Sequence, residues 1–417
     1  MVVFISDLSR LYSDRAGKMR KSVIRELLKV TQDPEIISFA GGLPNPNSFP
    51  IEDLEGVIDS VLEHHGRTAL QYGTTQGLKE LRENIAERSV KEGIDATPDN
   101  ILITSGSQQA LDTVGKMFLN PGNVALVGLP SYLGGINAFR SYESNLTGIP
   151  LDENGMSIDI LEDTIKKLLK DDVIPKFIYV IPTFQNPAGV VMPESRRKKL
   201  VDVANEYVLI IVEDDPYGKL RFDIDHVKPV KAFDDEGRVI YMSTFSKILS
   251  PGFRLAWTIA SPELTRKMTI CKQALDLCTN TFTQFIANEF IRRGSLDLHI
   301  MKICEMYKPK RDIMIESMKK YFPEGYVCYK PKGGMFAWVT LPEGIDTEIM
   351  FLDAIKEKVA YVHGKAFHVD GGGERSMRLN FSYSSNEQID EGMKRLGKVI
   401  KGKLENKKDG YVVCNEP

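Results

Sequence analysis

One lysine of this chain lies in a setting that suits covalent catalysis. Lys247 follows the hydroxyl-bearing residues Thr244 and Ser246, and Arg254 comes seven positions later, beyond a Pro-Gly pair. A lysine amine can form a Schiff base with a carbonyl compound, while hydroxyl and guanidinium groups bind phosphate oxygens. The spacing therefore predicts a site for a phosphorylated carbonyl cofactor. Taken alone, the same residues are more typical of a surface Ser-Lys pair followed by a structural arginine.

A second segment has the composition of a phosphate-binding turn. Residues 104–109, Thr-Ser-Gly-Ser-Gln-Gln, join a short apolar run to a stretch with helical spacing. Small residues let backbone N–H groups approach an anion, and the dipole of the following helix favours negative charge. The segment predicts a phosphate cradle with Ser107 and Gln108 in the first helical turn, although an ordinary N-capped helix would have the same sequence.

Polar side chains also follow two later apolar runs. Asn186 follows one run, within Phe-Gln-Asn-Pro-Ala-Gly, and Asp214 and Tyr217 follow the next. In open α/β sheets, ligands bind outside the carboxyl ends of the strands. Asp214 suits an ion pair with a protonated ring nitrogen, and Asn186 and Tyr217 suit hydrogen bonds to a phenolic oxygen. Asn-Pro is also an ordinary turn and Asp-Asp-Pro-Tyr an ordinary helix start, but their order with Lys247 favours one shared site.

The elements that must position these residues alternate along the chain. Short apolar runs separated by helical or turn-rich segments are typical of a parallel sheet covered by helices on both faces. The predicted strands of this α/β sheet are 100–104, 124–127, 177–181, 208–212, 239–242 and 255–259. The stretch from about 282 to 321 predicts one extended helix between two domains. Beyond it, 334–339 and 377–382 predict short strands of a smaller α+β unit.

Length and composition indicate a two-domain globular protein. The chain has 417 residues, 42% of them apolar and 27% charged, with a formal net charge of −3. This length is too great for one small core, and the slightly acidic balance argues against a nucleic-acid partner. No apolar run approaches the ~20 residues that span a membrane.

The cysteines and the N-terminus indicate a reducing compartment. The five cysteines form an odd set without a C-x-x-C pair, which disfavours a disulfide framework and a zinc site. The apolar start of the chain is too short for a signal peptide, and Asp7 and Asp14 are unusual in a transit peptide. We therefore expect a cytoplasmic protein without a metal site.

Together these motifs resemble the pyridoxal-phosphate aminotransferases of fold type I, class I, and in particular the branch that contains 2-aminoadipate and kynurenine aminotransferases. The resemblance covers nearly the whole chain, from Ser-Phe-Ala-Gly-Gly-Leu-Pro-Asn-Pro at 38–46 to Arg378. It implies a large cofactor-binding domain over residues 61–314, with a mostly parallel sheet. A smaller α+β domain would combine residues 1–60 and 315–417.

The resemblance implies a role in cofactor binding for each candidate. Lys247 would form the Schiff base with pyridoxal phosphate and then move the proton. Asp214 would pair with the ring nitrogen, Asn186 and Tyr217 would hold the ring oxygen, and Tyr132 would stack on the ring. The phosphate would be bound by residues of the same subunit and by one residue of the partner in a homodimer: Ser107, Gln108, Thr244, Ser246, Arg254 and, from the partner, Tyr72.

The substrate contacts follow from the same likeness. Arg378 would clamp the substrate α-carboxylate in a bidentate pair, beside Asn186. Gly42 and Arg25 match positions of the side-chain pocket, and Arg25 would meet a distal carboxylate, although it is equally well an ordinary ion-paired helix residue. The chain departs from the family pattern where Thr244 replaces a common serine and where Leu129 replaces an acid before a proline.

The predicted activity is a ping-pong exchange of amino groups between L-amino acids and 2-oxo acids such as 2-oxoglutarate. Gly41, Gly42, Leu43 and Tyr72 suggest a roomy apolar pocket, so the expected donors are aromatic amino acids, 2-aminoadipate and glutamate. A β-lyase or another pyridoxal-phosphate enzyme would share the fold and differ only in its product. A transcription regulator built on the same domain is disfavoured, because the segment before residue 38 carries no helix-turn-helix of usable length.

Overall fold

The computed structural model describes residues 8–19 and 33–409, with side chains through residue 405. Arg25, a predicted substrate contact, lies outside the described residues. Within these ranges the chain forms one eight-stranded sheet, two smaller sheets and the helices that cover them. The α/β class predicted from the sequence is confirmed.

The strands are short and spread over the whole chain. In chain order they are β1 (Ile37–Ser38), β2 (Ile101–Thr104), β3 (Val124–Leu129), β4 (Asn145–Asp152), β5 (Gly155–Met156), β6 (Phe177–Val180), β7 (Ile210–Asp214), β8 (Val239–Thr244), β9 (Ala256–Ile259), β10 (Phe336–Thr340), β11 (Val359–Ala360), β12 (Val362–His363) and β13 (Ser376–Asn380). The eight-stranded sheet has the order β2-β9-β8-β7-β6-β3-β4-β5.

This central sheet is mostly parallel, as predicted, with two exceptions. The strands β4, β3, β6, β7 and β8 run parallel to one another, whereas β9 is antiparallel to β2 and β8, and β5 is antiparallel to β4. The expectation that β9 joins a parallel sheet is therefore wrong. Residues 245–255 contain only the 3₁₀ turn Pro251–Phe253, and a parallel return normally needs a longer crossover, usually an α-helix.

The sequence pattern also missed β4, because Ile149 is the only fully buried residue in it.

Helices pack on both faces of the central sheet. They are α1 (Asp14–Lys18), α2 (Ile51–Ala69), α3 (Lys79–Lys91), α4 (Ser107–Phe118), α5 (Leu133–Arg140), α6 (Ile158–Lys170), α7 (Glu194–Glu206), α8 (Pro262–Asp276), α9 (Thr281–Arg292), α10 (Ser295–Tyr321), α11 (Thr347–Lys356) and α12 (Asn386–Asp409). Side chains alternate along β6: Phe177 and Tyr179 pack with α4 and α5, while Ile178 and Val180 pack with α6 and α7. None of these helices, within the described ranges, is long and apolar enough to cross a membrane.

The single helix expected from about 282 to 321 is two helices. α9 ends at Arg292 and α10 begins at Ser295, and Gly294 between them has a φ of 73°. This left-handed conformation is open to glycine at little steric cost and ends a helix. The sequence pattern missed the break because apolar residues continue on both sides of it.

The smaller sheets connect the two ends of the chain. β13 lies between β10 and β12 in a three-stranded antiparallel sheet, and β1 pairs in parallel with β11. The pairing of β1 attaches the segment that leads to Gly42 to the C-terminal part of the protein. This arrangement is compatible with a smaller domain of N- and C-terminal residues, whose bounds stay a prediction.

Candidate active site

The polar residues predicted from the sequence lie at one edge of the central sheet. β6, β7 and β8 are adjacent and parallel, so their carboxyl ends meet at the same edge. The segment after β6 carries Asn186, β7 ends at Asp214 with Tyr217 just beyond it, and the segment after β8 carries Lys247. The structure thus brings these four candidates to the edge where open α/β sheets bind ligands.

Lys247 links this edge to the N-terminal segment. Its Nζ donates a hydrogen bond to the carbonyl oxygen of Gly42 at 2.8 Å. Burial, and then the positive charges of Arg378 and Arg254, lower the pKa of the Lys247 amine to about 8. A larger fraction of the amine is therefore neutral near physiological pH than for an exposed lysine, and the neutral amine is the form that acts as a nucleophile or base.

Asp214 is a buried carboxylate with one engaged oxygen and one free oxygen. Tyr179 donates its hydroxyl proton to Oδ2 at 2.8 Å, and Oδ1 has no hydrogen-bond partner within the described part of the chain. Burial raises the pKa of Asp214 to about 7; the hydrogen bond from Tyr179 opposes this change, and the charge of Asp215 adds to it. Leaving a buried charged acceptor unpaired costs about 1–3 kcal/mol or more, so Oδ1 favours a ligand that carries a proton.

A chain of hydrogen bonds joins Tyr217, Asn186 and Arg378. Nδ2 of Asn186 donates to the Tyr217 hydroxyl at 3.3 Å, and Oδ1 of Asn186 accepts from Nη1 of Arg378 at 3.0 Å. All three side chains are buried. Burial raises the pKa of Tyr217 far above its ordinary value, so its hydroxyl stays protonated and can donate. The chain connects the edge of the central sheet to β13 of the smaller sheet.

Arg378 is a buried cation without an ion pair among the described residues. Its Nη2 donates to the carbonyl oxygen of Ala40 at 2.7 Å, and its Nε has no hydrogen-bond partner there. The guanidinium carbon lies 4.2 Å from the ring centroid of Phe336 and 5.0 Å from that of Phe367. Burial lowers the pKa of Arg378 to about 10. Because removing an unpaired charge from water is unfavourable by several kcal/mol, this position attracts an anion.

Gly106, Ser107 and Arg254 form a pocket for a second anion. Gly106 precedes α4 with a φ of 83°, and a Cβ there would lie 2.4 Å from Nη2 of Arg254. The positive φ favours glycine, and the absence of a Cβ lets the guanidinium lie against the N-terminus of α4. Oγ of Ser107 is buried and has no hydrogen-bond partner among the described residues. Backbone N–H groups and the helix dipole favour an anion at this position.

The other predicted phosphate contacts hold the loops of this pocket together. Oγ1 of Thr244 accepts from the backbone N–H of Ser246 and donates to the carbonyl oxygen of Leu255, both at 3.1 Å. The Ser246 hydroxyl lies 3.0 Å from the Thr244 hydroxyl. Gln108 donates from its amide to the carbonyl oxygen of Gly134 at 3.1 Å, which joins α4 to α5. Direct contact of Thr244, Ser246 and Gln108 with a phosphate stays a prediction.

The two predicted aromatic contacts differ in their placement. Tyr132 is the N-cap residue of α5 and interacts electrostatically with Tyr217 and Arg378. Gly134 leaves room for its ring, since a Cβ there would come within 2.5 Å of it. Tyr72 lies between α2 and α3 and is 79% exposed. The structure therefore places Tyr132 at the site and Tyr72 on the surface of the single chain.

Leu129, for which the family resemblance implied an acid, belongs to the packing of the sheet edge. It ends β3 and contacts Gly148 of the neighbouring β4, where a Cβ would lie 2.8 Å from Cδ1 of Leu129. The Leu129 side chain packs over Gly148, which has no side chain of its own. The observed contacts of Leu129 are therefore those of an apolar packing residue.

These open groups fit pyridoxal phosphate. Ser107 and Arg254 at the N-terminus of α4 suit the phosphate, the Lys247 amine suits the aldehyde carbon, and the free Oδ1 of Asp214 suits a protonated pyridine nitrogen. When bound, this cofactor supplies an electron sink for the charge that develops at the substrate Cα. Fold and site together define a pyridoxal-phosphate-dependent enzyme of fold type I.

Comparison with known families identifies the group to which it belongs. Residues 44–396 match the family described as aminotransferase class I and II, and the chain belongs to this family. The protein is therefore a pyridoxal-phosphate-dependent aminotransferase, as predicted from the sequence.

Individual relatives cover nearly the full length. The chain is 50% identical to aromatic-amino-acid aminotransferase 1 of Thermococcus litoralis, over 95% of this chain and 96% of that protein. It is 40% identical to 2-aminoadipate transaminase of Thermus thermophilus, over 95% of this chain and 98% of the relative. Among solved structures, kynurenine aminotransferase of Pyrococcus horikoshii in complex with PMP superimposes with a TM-score of 0.93 at 50% identity, covering 96% of this chain and 99% of that one.

Sequence reasoning missed three residues that complete the site. Tyr179 binds Asp214, and Phe336 and Phe367 enclose Arg378. A signal existed for Tyr179, since a hydroxyl inside a fully buried strand needs a hydrogen-bond partner. The two phenylalanines gave no signal, because a phenylalanine of an apolar strand or turn usually packs on other apolar groups.

Proposed function

We propose that the protein has a broad substrate range and exchanges amino groups by a ping-pong mechanism between aromatic amino acids, 2-aminoadipate or glutamate and 2-oxo acids such as 2-oxoglutarate. The three relatives described above support this range, since one is named for aromatic amino acids, one for 2-aminoadipate and one for kynurenine. Similarity to all three at 40% identity or more favours a pocket that accepts aromatic and acidic side chains.

The contacts of one short segment support the recognition of α-amino acids. The carbonyl oxygen of Ala40 accepts from Arg378, and the carbonyl oxygen of Gly42 accepts from the Lys247 amine. A reactive amine and a buried guanidinium that has no ion pair among the described residues are thus bound by carbonyl oxygens two positions apart in the same segment. An α-amino acid carries its carboxylate and its amino group on a single carbon, so it matches a site of this kind. Guanidinium also binds carboxylate in a bidentate geometry that an ammonium group does not reproduce.

Each residue at the carboxyl edge of the sheet then has a proposed task. Lys247, as the neutral amine, would remove the proton from the substrate Cα and deliver it to the cofactor carbon that carries the amino group. Asp214 would keep a proton on the ring nitrogen through Oδ1, and Asn186 and Tyr217 would donate to the ring oxygen. Tyr132 would cover the face of the ring. The phosphate contacts are proposed to be Ser107, Gln108, Thr244, Ser246 and Arg254.

The proposed side-chain pocket lies beside Gly42. A Cβ on Gly42 would lie 3.2 Å from Cζ of Phe336, so the glycine leaves the edge of this ring open to a substrate. Leu43, the next residue, is 42% exposed. Apolar surface of this kind suits an aromatic donor. For an acidic donor, Arg25 is the proposed contact, and it lies outside the described residues.

We further propose a homodimer in which Tyr72 reaches the phosphate of the partner subunit. Tyr72 and Leu70 are 79% and 72% exposed in the single chain. Burying such side chains between subunits is favourable by about 25 cal/mol per Å² of apolar surface.

A cytoplasmic location is proposed on separate grounds: the four cysteines in the described part of the chain are unpaired, which suits a reducing compartment.

Incubation of the holoenzyme with glutamate and phenylpyruvate tests the activity and part of its range. Phenylalanine and 2-oxoglutarate should form in equal amounts, and 2-aminoadipate should replace glutamate as donor. A parallel reaction with β-chloroalanine tests the alternative, because a β-lyase would release pyruvate and ammonia without any oxo-acid acceptor. Lyase products in place of amino-group exchange would contradict the proposal.

Two variants of Lys247 separate its chemistry from its charge. Lys247→Ala and Lys247→Arg should both abolish amino-group exchange, because neither keeps an amine that can act as nucleophile and base. Borohydride should label Lys247 in the wild-type holoenzyme, as found by peptide mapping. Labelling of a different lysine, or turnover by Lys247→Arg, would remove Lys247 from its proposed role. Lys219→Ala is the matched control, because it removes a lysine that forms an ion pair with Glu92. The Lys219→Ala enzyme should keep its aminotransferase activity.

A further inference from the structure

Tyr179 and Asp214 meet across neighbouring strands of the central sheet. Tyr179 of β6 is paired with Val212 of β7, and Asp214 lies two residues further along that strand. Side chains two residues apart on a strand share a face, so Tyr179 and Asp214 project to the same side. Their contact, 2.8 Å from the Tyr179 hydroxyl to Oδ2, is fully buried. This geometry follows from the strand pairing of β6 and β7.

The hydrogen bond leaves Asp214 with one defined free oxygen. A carboxylate bound at neither oxygen can rotate about its Cβ–Cγ bond, whereas Tyr179 holds Oδ2 in place and thereby sets the direction of Oδ1. Oδ1 has no hydrogen-bond partner among the described residues. Groups on functional sites need such support, because small losses of orientation weaken their chemistry strongly.

Gly135 provides the space that Tyr179 occupies. A Cβ on Gly135 would lie 2.9 Å from Cε1 and 3.1 Å from the hydroxyl oxygen of Tyr179. On another side, Phe139, one turn along α5, packs edge-on to the Tyr179 ring with centroids 5.4 Å apart. The glycine and the phenylalanine of α5 therefore determine where the hydroxyl lies.

The groups that face Asp214 act on its charge in opposite directions. Burial and the adjacent Asp215 favour the neutral acid, and the hydrogen bond from Tyr179 favours the carboxylate. Tyr217, from the segment after β7, also interacts with Asp214 and stays protonated. Tyr179 itself stays protonated, because burial and Asp214 raise its pKa far above the ordinary value. Among these neighbours, Tyr179 is the group that donates to the carboxylate.

We propose that Tyr179 is a positioning residue for the cofactor: it keeps Asp214 ionised and directs Oδ1 toward the ring nitrogen. The inference rests on the proposed role of Asp214. A loss of the hydroxyl should weaken the hold of Asp214 on the ring proton without removing the carboxylate. The nitrogen should then release its proton at a lower pH than in the wild type.

The test compares Tyr179→Phe with the wild type as holoenzymes reconstituted with ¹⁵N-labelled pyridoxal phosphate. We expect the ¹⁵N signal to titrate about one pH unit lower in Tyr179→Phe, as the loss of one hydrogen bond to a charged group implies. The turnover number should fall about tenfold with little change in KM for glutamate, as the loss of an interaction made mainly in the transition state implies. Gly135→Ala should produce the same shift in a protein that keeps the hydroxyl.

A matched pair elsewhere in the chain gives the control. The Tyr142 hydroxyl donates to Oδ1 of Asp112 at 3.1 Å, and a Cβ on Gly115 would lie 2.6 Å from the Tyr142 ring. Tyr142→Phe also removes a tyrosine–aspartate hydrogen bond, so it should lower the stability of the protein to a similar extent. It should leave the ¹⁵N titration unchanged. An unchanged titration in Tyr179→Phe would overturn the inference.

Asp214→Asn distinguishes failure of this inference from failure of the underlying proposal. If Asp214→Asn shifts the ¹⁵N titration and Tyr179→Phe does not, Asp214 is the nitrogen's partner and only the role of Tyr179 is lost. If neither variant shifts it, Asp214 does not contact the nitrogen, and both proposals fall together. A shift in both, larger in Asp214→Asn, is the expected result.

Discussion

The guanidinium of Arg378 lies against the ring of Phe336, with the guanidinium carbon 4.2 Å from the ring centroid. Phe367 approaches the same group at 5.0 Å, and the rings belong to different segments, β10 and the 3₁₀ turn Gly364–Phe367. Aromatic faces attract a cation electrostatically and offer its N–H groups only weak N–H···π contacts. The rings therefore restrict the position of Arg378 while leaving its Nε without a partner in the described part of the chain.

Arg378→Lys should impair every amino donor to a similar extent. Each donor carries an α-carboxylate, and lysine cannot present two parallel N–H donors or fill the planar space between the rings. Hydrogen bonds to charged groups contribute about 1.5–3 kcal/mol each, so kcat/KM should fall roughly 10- to 100-fold or more. Steady-state kinetics with glutamate and with phenylalanine provide the comparison. A loss confined to one of these donors would show that Arg378 contacts the side chain of the donor and not its α-carboxylate.

Phe336→Leu should weaken the same interaction without removing it. Leucine keeps an apolar side chain but has no aromatic face, and a cation–π contact contributes about 0.5–2 kcal/mol. We therefore expect kcat/KM to fall about 2- to 30-fold for all donors, with an added effect on aromatic donors that touch the ring edge beside Gly42. Phe322→Leu, a buried change at a ring that packs on Tyr326, is the control. Equal kinetic losses in both variants would indicate a general packing defect.

Asp214→Asn should stabilise the apoenzyme at alkaline pH while it impairs the reaction. Burial raises the pKa of Asp214 to about 7 from an ordinary value of 3.8. Between these values the unfolded chain is ionised and the folded protein holds the proton, so the free energy of unfolding falls as pH rises from about 4 to about 7. The amide removes this pH-dependent penalty, which is on the order of 4 kcal/mol.

Urea unfolding of apoenzyme at pH 5 and pH 8.5 measures this effect. The advantage of Asp214→Asn should be larger at pH 8.5. Asp152→Asn is a control of opposite sign: burial would raise the pKa of Asp152, but hydrogen bonds from Arg196 and the backbone lower it overall, so its carboxylate stabilises the fold at neutral pH. An Asp214→Asn variant that is less stable than the wild type at pH 8.5 would contradict the prediction.

Mixing two inactive variants should restore activity if the site is shared between subunits. Tyr72→Ala and Lys247→Ala, refolded together, form mixed dimers in which one of the two sites has both residues intact. With random pairing, half of the dimers are mixed, so about a quarter of wild-type activity should return. Asp214→Asn mixed with Lys247→Ala is the control, since both residues belong to one subunit's site and no intact site can form. Full activity of a monomer in sedimentation would rule out the shared site.

The sequence by itself determined the chemistry of the site and the order of its parts. Lys247, Asp214 and Asn186 each follow an apolar run, and runs that form neighbouring parallel strands bring their ends together. The helical spacing expected after the phosphate-binding turn corresponds to α4 (Ser107–Phe118) in the structure. Both inferences depend on local features: the periodicity of apolar residues and the residue types that follow them.

The tertiary structure alone decided which distant side chains meet. Tyr179 reaches Asp214 from another strand, Phe336 and Phe367 enclose Arg378, and the carbonyl of Gly42 accepts from Lys247. The antiparallel direction of β9 and the break at Gly294 also became clear only there. A buried phenylalanine or tyrosine has the same local pattern whether it packs on leucine or on a guanidinium. Its partner is set by strand order and by the small gaps left at residues such as Gly135, which no local pattern contains.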